Sequence, residues 1–398
     1  MRDPVRTTMW AGAAVATAGS LPVFLTGALA VQMRADIGFD ESGLGLTVAA
    51  FFGAAALLSA AGGRIAERLG AAAGTRAAAA LAGLALLLIG IGARTFPLLM
   101  ASLFVGGAAN ALAQPATNLL IAQRVPPDRL GLAFGIKQSA IPMATLLGGL
   151  AVPTVALTVG WRWAFIGCAV AALVLAWRDP GAVPGEVRRR GARRTADDTR
   201  LSALVLLGSG AALGAAAAGT IGSFLVSAAV DSGIAEGSAG SLAFVCSAAG
   251  ITTRMVSGAR ADRRGGGHLV TVAVMLGAGT LGYVALATGE PALIVVGGLA
   301  GYCLGWGWPG LFNLAVVRSN PGAPGAATGI TQTGTYIGAV LGPLLFGFAV
   351  DAWGYGWSFL GSALTSAVAA LAVVNARRAL KLDQARRSRY LSEPDVVG

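Results

Sequence analysis

The sequence predicts an all-α membrane protein with twelve transmembrane helices in two pseudo-symmetric six-helix bundles. Three observations predict it. Hydrophobic residues make up 55% of the chain, charged residues only 12%, and the mean hydropathy is +0.71; a soluble domain carries about 25% charged residues. A cassette, Gly63-Arg64-Ile65-Ala66-Glu67-Arg68-Leu69-Gly70, returns 195 residues later as Gly258-Ala259-Arg260-Ala261-Asp262-Arg263-Arg264-Gly265. Basic residues alternate in density between successive inter-span segments, as a fixed orientation in a bilayer requires.

Other landmarks support the repeat, each 194 residues from its partner. Pro115 answers to Pro309 and Arg124 to Arg318. Gly135-Ile136-Lys137-Gln138-Ser139 answers to Gly329-Ile330-Thr331-Gln332-Thr333, and Gly160-Trp161 to Gly354-Tyr355. Several matches in one order at one offset mark an internal duplication. Duplicated bundles with a site between the halves are a plan of secondary transporters.

The spans follow in order. Residues 9–31 hold the first. That run exceeds the 7–15 residues of a signal h-region, so Ala28-Leu29-Ala30 is not read as a cleavage site. Apolar runs near 43–63, 71–93, 96–121, 131–157 and 163–177 complete the first half; the last is short unless it begins at Trp161. Runs near 201–229, 239–258, 268–288, 291–316, 325–350 and 357–375 form the second half. Most are about as long as the ~20 residues a helix needs to cross a bilayer. They are apolar throughout rather than alternating, which favours helices over barrel strands. Expected boundaries are a bundle at 1–177, a linker at 178–200, a second bundle at 201–376 and a tail at 377–398.

The net charge of +11 invites a nucleic-acid reading, but its distribution opposes one. With twelve spans, 26 of the 29 basic residues fall on one side, and only Arg34, Arg94 and Arg162 on the other. This predicts a multi-pass protein of the cell membrane with both termini cytoplasmic. Cys168, Cys246 and Cys303 lie within spans and read as small packing residues. No cofactor, metal site or nucleic-acid partner is expected. No cluster of catalytic groups at one depth points to an enzyme. Membrane lipid surrounds the protein, and a monomer is expected.

The cassettes resemble the loop signature of the major facilitator superfamily, in which a Gly, an acid, a basic residue and a final Gly follow the second and eighth spans. Gly63, Glu67, Arg68 and Gly70 match in the first copy; Gly258, Asp262, Arg263 and Gly265 match in the second. Glu67 stands where that family usually has Asp. The resemblance covers the whole chain. It implies transport of a small solute by alternating access, with these eight residues as a conformational latch. On physical grounds Gly63 and Gly258 are expected where a neighbouring helix comes close. The acids sit in tight turns near a helix N-terminus, where a carboxylate is stabilised. A glycine ladder, Gly334, Gly338, Gly342, Pro343 and Gly347, resembles the family's antiporter signature but lies in the eleventh span rather than the fifth.

The resemblance also implies that the first, fourth, seventh and tenth spans line a central cavity. Asn110, Gln114, Thr117 and Asn118 share a face of the fourth. The tenth offers Trp306 and Asn313, and the eleventh Gln332 and Tyr336. Lys137, one of two lysines, is eight residues beyond Arg129, about 12 Å along a helix. An intramembrane charge is a functional-site candidate. Two readings stand for Lys137: it faces the cavity, or its stem snorkels towards the cytoplasm. Arg254, six residues before Arg260, is expected to snorkel. The favoured function is a secondary transporter with an anionic or planar solute, direction and a coupling proton open. The alternative is a membrane-embedded ligand sensor without transport.

Overall fold

The computed structural model describes residues 4–126, 129–177, 201–263, 266–320 and 324–392. The expected linker and Gly265 lie outside these residues, as do the side chains of Asp262 and Arg263. Among the described residues every regular element is helical.

The first half comprises α1 (Pro4–Ala28), α2 (Ala30–Ile37), α3 (Glu41–Leu87), α4 (Phe96–Arg124), α5 (Leu130–Gln138), α6 (Ala140–Ala151) and α7 (Trp161–Trp177). The second comprises α8 (Leu201–Asp231), α9 (Glu236–Arg263), α10 (His268–Ala287), α11 (Pro291–Ala300), α12 (Pro309–Arg318) and α13 (Pro324–Ser392). Among the described residues, nine helical stretches are long and apolar enough to span a bilayer, and Trp161–Trp177 is a shorter apolar helix. Two of the nine, containing α3 and α13, are each divided by one glycine. Counting those two as pairs and adding the shorter helix accommodates the twelve spans expected.

The dividing glycines are Gly70 (φ 76°, ψ 168°) and Gly354 (φ 78°, ψ 172°). Positive φ is nearly free for Gly and strained for other residues. Gly70 therefore makes the turn that ends the first cassette. Gly354 has φ +78° where its repeat partner Gly160 has φ +102°. The duplication thus extends to backbone conformation.

Spans five and ten are broken rather than continuous. α5 gives way to α6 at Ser139, three residues before Pro142. A π-helical turn at Gly301–Gly305 separates α11 from α12, which opens on Pro309. α13 continues past residue 376 to Ser392, where Leu380, Lys381, Gln384 and Ala385 are strong helix formers.

The glycine ladder is a packing face. Gly334, Gly338 and Gly342 lie against the α8 backbone at Gly208, Ala212 and Ala216, and Gly347 lies against Glu41 of the other half. A side chain on any of these glycines would collide with backbone.

Candidate functional site

Lys137 is buried, with 4% of its surface exposed. Its ammonium does not snorkel. Nζ donates to Gln114 Oε1 at 2.5 Å and to Asn118 Oδ1 at 2.9 Å. Gln114 and Asn118 are one turn apart on α4, so both amides meet the cation from one face. Gln114 is half-buried and Asn118 exposed, which leaves the cluster accessible from one side. The acceptors are neutral. Among the described residues no carboxylate pairs with Lys137.

Asn110 is committed elsewhere: its Nδ2 donates to Gly19 O at 3.3 Å and Ser20 Oγ at 3.4 Å, tying α4 to α1. Thr117 donates to Ala113 O of its own helix. Asn313 and Gln332 are half-buried and Tyr336 is buried. None of these contacts the Lys137 ammonium.

Trp306 is the centre of an aromatic cluster that joins the halves. Its ring is 5.7 Å from Phe24 of α1 and 5.4 Å from Tyr302, between centroids. Gly222 of α8 makes room: a Cβ there would lie 2.5 Å from the indole. Trp308 is instead core of the second half, edge-on to Phe312 at 5.5 Å.

Arg254 overturns the expectation of snorkelling. It is 6% exposed and bridges the halves. Nη1 donates to Gln138 O at 2.7 Å and Nη2 to Trp306 O at 2.5 Å, while the guanidinium carbon lies 5.7 Å from the Trp306 ring. The carbonyls are available for a physical reason. Pro142 has no N–H to give the carbonyl of Gln138 four residues earlier. Trp306 falls between the π-turn and α12, outside regular helix. A length argument placed Arg254 at the membrane surface; two orphaned carbonyls hold it inside.

Beyond the aromatic cluster the halves are closed together. A void of only about 10 Å3 lies among Phe24, Gly27, Thr145, Ser223 and Tyr302. Arg34 pairs with Glu41, and donates to Ser227 Oγ of α8 at 3.2 Å. Tyr355 of α13 donates to Glu41 at 3.0 Å, Gln32 to Glu236 Oε2 at 2.6 Å, and the Ser42 amide to Asp351 at 2.7 Å. Asp40 caps α3 by accepting from the Gly43 amide at 2.7 Å. That bond, then the Ser42 hydroxyl, holds its carboxyl below the usual carboxylate range. The sequence reading missed this gate. Its signal was present: Arg34 is a basic exception on the positive-poor side, with Glu41 seven residues on.

A larger cavity, about 290 Å3, lies between α1, α5–α6, α7 and α9. Its hydroxyls, Thr17 and Ser139, bond to carbonyls of their own chain segments, at Ala13 and Gly135. It is apolar, and none of the polar candidates lines it.

A family model described as Major Facilitator Superfamily matches residues 9–204 and, separately, 207–391. The chain belongs to the major facilitator superfamily. The two matches divide the chain between residues 204 and 207. Among solved structures it is similar to a bacterial homologue of the human lysosomal transporter Spinster. In its inward-facing, unoccupied form the TM-score is 0.69 at 15% identity, covering 96% of this chain and 99% of that one. In the inward-facing, occupied form the TM-score is 0.65 at 15% identity, covering 96% and 98%. These likenesses concern the fold. No curated protein matches.

The superfamily's cassettes are the second correction. Gly63 and Gly258 were expected against a close neighbour; a Cβ on either would meet nothing within 4 Å. The close approach is made one residue earlier, where Gly62 lies on the Ala111 carbonyl. Glu67 and Arg68 are exposed. In this conformation the first cassette forms a turn at Gly70, with its charges open to solvent.

Proposed function

We propose that this superfamily transporter carries a small organic anion across the cell membrane by alternating access, with both termini cytoplasmic. The observation that carries the reading is Lys137: a buried cation with neutral amide acceptors and, among the described residues, no paired carboxylate. A buried charge without a counter-ion is costly, and an anionic solute offsets that cost. Gln114 and Asn118 hold the ammonium in place and offer amide donors to a carboxylate. Trp306 and Phe24 close the site on the Arg34 side, and Asn313, Gln332 and Tyr336 are the remaining candidates to surround the solute. The closed Arg34 end and the unpartnered cassette glycines are what an inward-facing state would have. Glu67, Arg68, Asp262 and Arg263 then act as a latch formed in the outward-facing state.

The test is flux in proteoliposomes, over matched panels of anionic, cationic and neutral solutes. Anions should accumulate or exchange, and Lys137→Gln should reduce their flux by about tenfold or more while leaving expression intact, since a charged contact is worth about 1.5–3 kcal/mol. Lys137→Arg should rescue only in part, because a planar fork does not replace a point charge. Equal anion flux in wild type and Lys137→Gln rejects the site. Saturable binding with no flux of any solute would favour a sensor.

A further inference from the structure

Lys137 is not the only buried cation without a charge partner. Arg254, on the other half, is 6% exposed, and among the described residues no carboxylate pairs with it. Its two neutral acceptors are backbone carbonyls. Among the described residues its Nε is buried and has no hydrogen-bond partner. The ammonium of Lys137 has three protons and two side-chain acceptors. Both cations therefore retain donor capacity. They are linked through the chain: Arg254 holds the carbonyl of Gln138, the residue next to Lys137. That carbonyl lies at the break in span five, and Trp306 lies at the break in span ten. Broken helices at the junction of two halves are where transporters of duplicated design seat their solutes.

We infer that the solute carries two negative charges, as a small dicarboxylate or another divalent oxyanion does, and bridges Lys137 of the first half to Arg254 of the second. This rests on the anion reading above and goes beyond it in charge and in anchor. The energetic reason is charge balance. A monoanion neutralises one of two buried cations; a dianion neutralises both. The geometric reason is that Arg254 presents a guanidinium already fixed by two carbonyls, so little freedom is lost when an oxyanion adds to it. Each anchor belongs to a different half, so the solute itself contributes to holding the halves together on this side of the aromatic cluster. The competing role for Arg254 is a bolt that joins two helix breaks and never meets solute.

The experiment is equilibrium binding to the full-length protein in lipid nanodiscs, with succinate, butyrate and inorganic phosphate as probes. Wild type should bind succinate at least about tenfold more tightly than butyrate, a difference of about 1.4 kcal/mol. Arg254→Gln should bring that ratio close to one while butyrate still binds. Lys137→Gln should weaken both carboxylates. Phosphate binding as tight as succinate, with the same response to Arg254→Gln, would support the divalent class and assign it to compact oxyanions. Equal wild-type affinity for succinate and butyrate overturns the inference and leaves the anion site standing. A ratio preserved in Arg254→Gln also overturns it, and makes Arg254 a bolt. Wild type that binds none of the three anions sinks the anion reading and this inference together. Should Arg254→Gln fail to fold, Arg254→Lys decides: replacing the planar fork by a point charge should lower the succinate-to-butyrate ratio, and an unchanged ratio overturns the inference.

Discussion

The two ends of the bundle are built on different principles. At the cassette end the sequence is repeated, yet among the described residues a Cβ on Gly63 or Gly258 would meet no neighbour, and Glu67 is exposed. At the Arg34 end the contacts follow no repeat, yet they join the halves. Arg34, Glu41, Ser227 and Tyr355 form one cluster, Gln32 meets Glu236, and Ser42 meets Asp351. The difference teaches that duplication records architecture, whereas the contacts that hold one state belong to particular pairs. An alternating-access protein needs both, since each end has to close while the other opens.

The largest effect should come from the gate. Glu41→Gln removes the charge that pairs with Arg34 and weakens the bond from Tyr355. Hydrogen bonds to charged groups are worth about 1.5–3 kcal/mol, so the population should move by tenfold or more towards an open Arg34 end. Ser223, which borders the 10 Å3 void, reports it. In a background lacking the three native cysteines, Ser223→Cys should react with a water-soluble thiol reagent much faster when Glu41→Gln is present. An unchanged rate would remove the gate from the account.

A smaller effect, of opposite sign, is expected at the cassettes. Glu67→Gln and Asp262→Asn remove the two acids of the proposed latch. They should favour the conformation described here, and slow Ser223→Cys labelling. Such states are separated by a few kcal/mol, so the shift is measurable. Faster labelling would mean that the cassettes already hold the present state.

The smallest effect belongs to Asp40, whose cap starts α3 beside the gate. Asp40→Ala should cost about 1 kcal/mol of stability, the usual worth of such a cap. The pH dependence has a definite sign. The carboxyl is held below its ordinary value of 3.8, so its contribution is full above that value and lost as pH falls through the lower folded-state value. Thermal melts of wild type and Asp40→Ala should therefore differ at neutral pH and converge under strong acid.

Much of the architecture was legible in the sequence. Hydropathy marks the spans, and the repeat pairs Gly160 with Gly354, which share a positive φ. The meeting of Lys137 with Gln114 and Asn118 follows from polar residues placed on an otherwise apolar α4. The gate was not legible, because its partners are distant in sequence: 193 residues separate Arg34 from Ser227 and 314 separate Glu41 from Tyr355. No periodicity links such residues. Arg254 was misjudged from its distance to the helix end alone. Pro142 held the missing information, since a proline orphans the carbonyl four residues before it. Asn110 shows the opposite limit: its amide looked available, and interhelical bonding to α1 accounts for it.

The central claim is that one bound anion couples the two ends. The direct measurement is a pair of spin-label distances in one lipid-embedded protein, one pair across the Arg34 end and one across the cassettes, with and without a transported anion. The account predicts reciprocal change on anion addition: as the cassette pair shortens the Arg34 pair lengthens, and Lys137→Gln abolishes both responses. Distances that both shorten, both lengthen or stay fixed while the anion is being transported would contradict it.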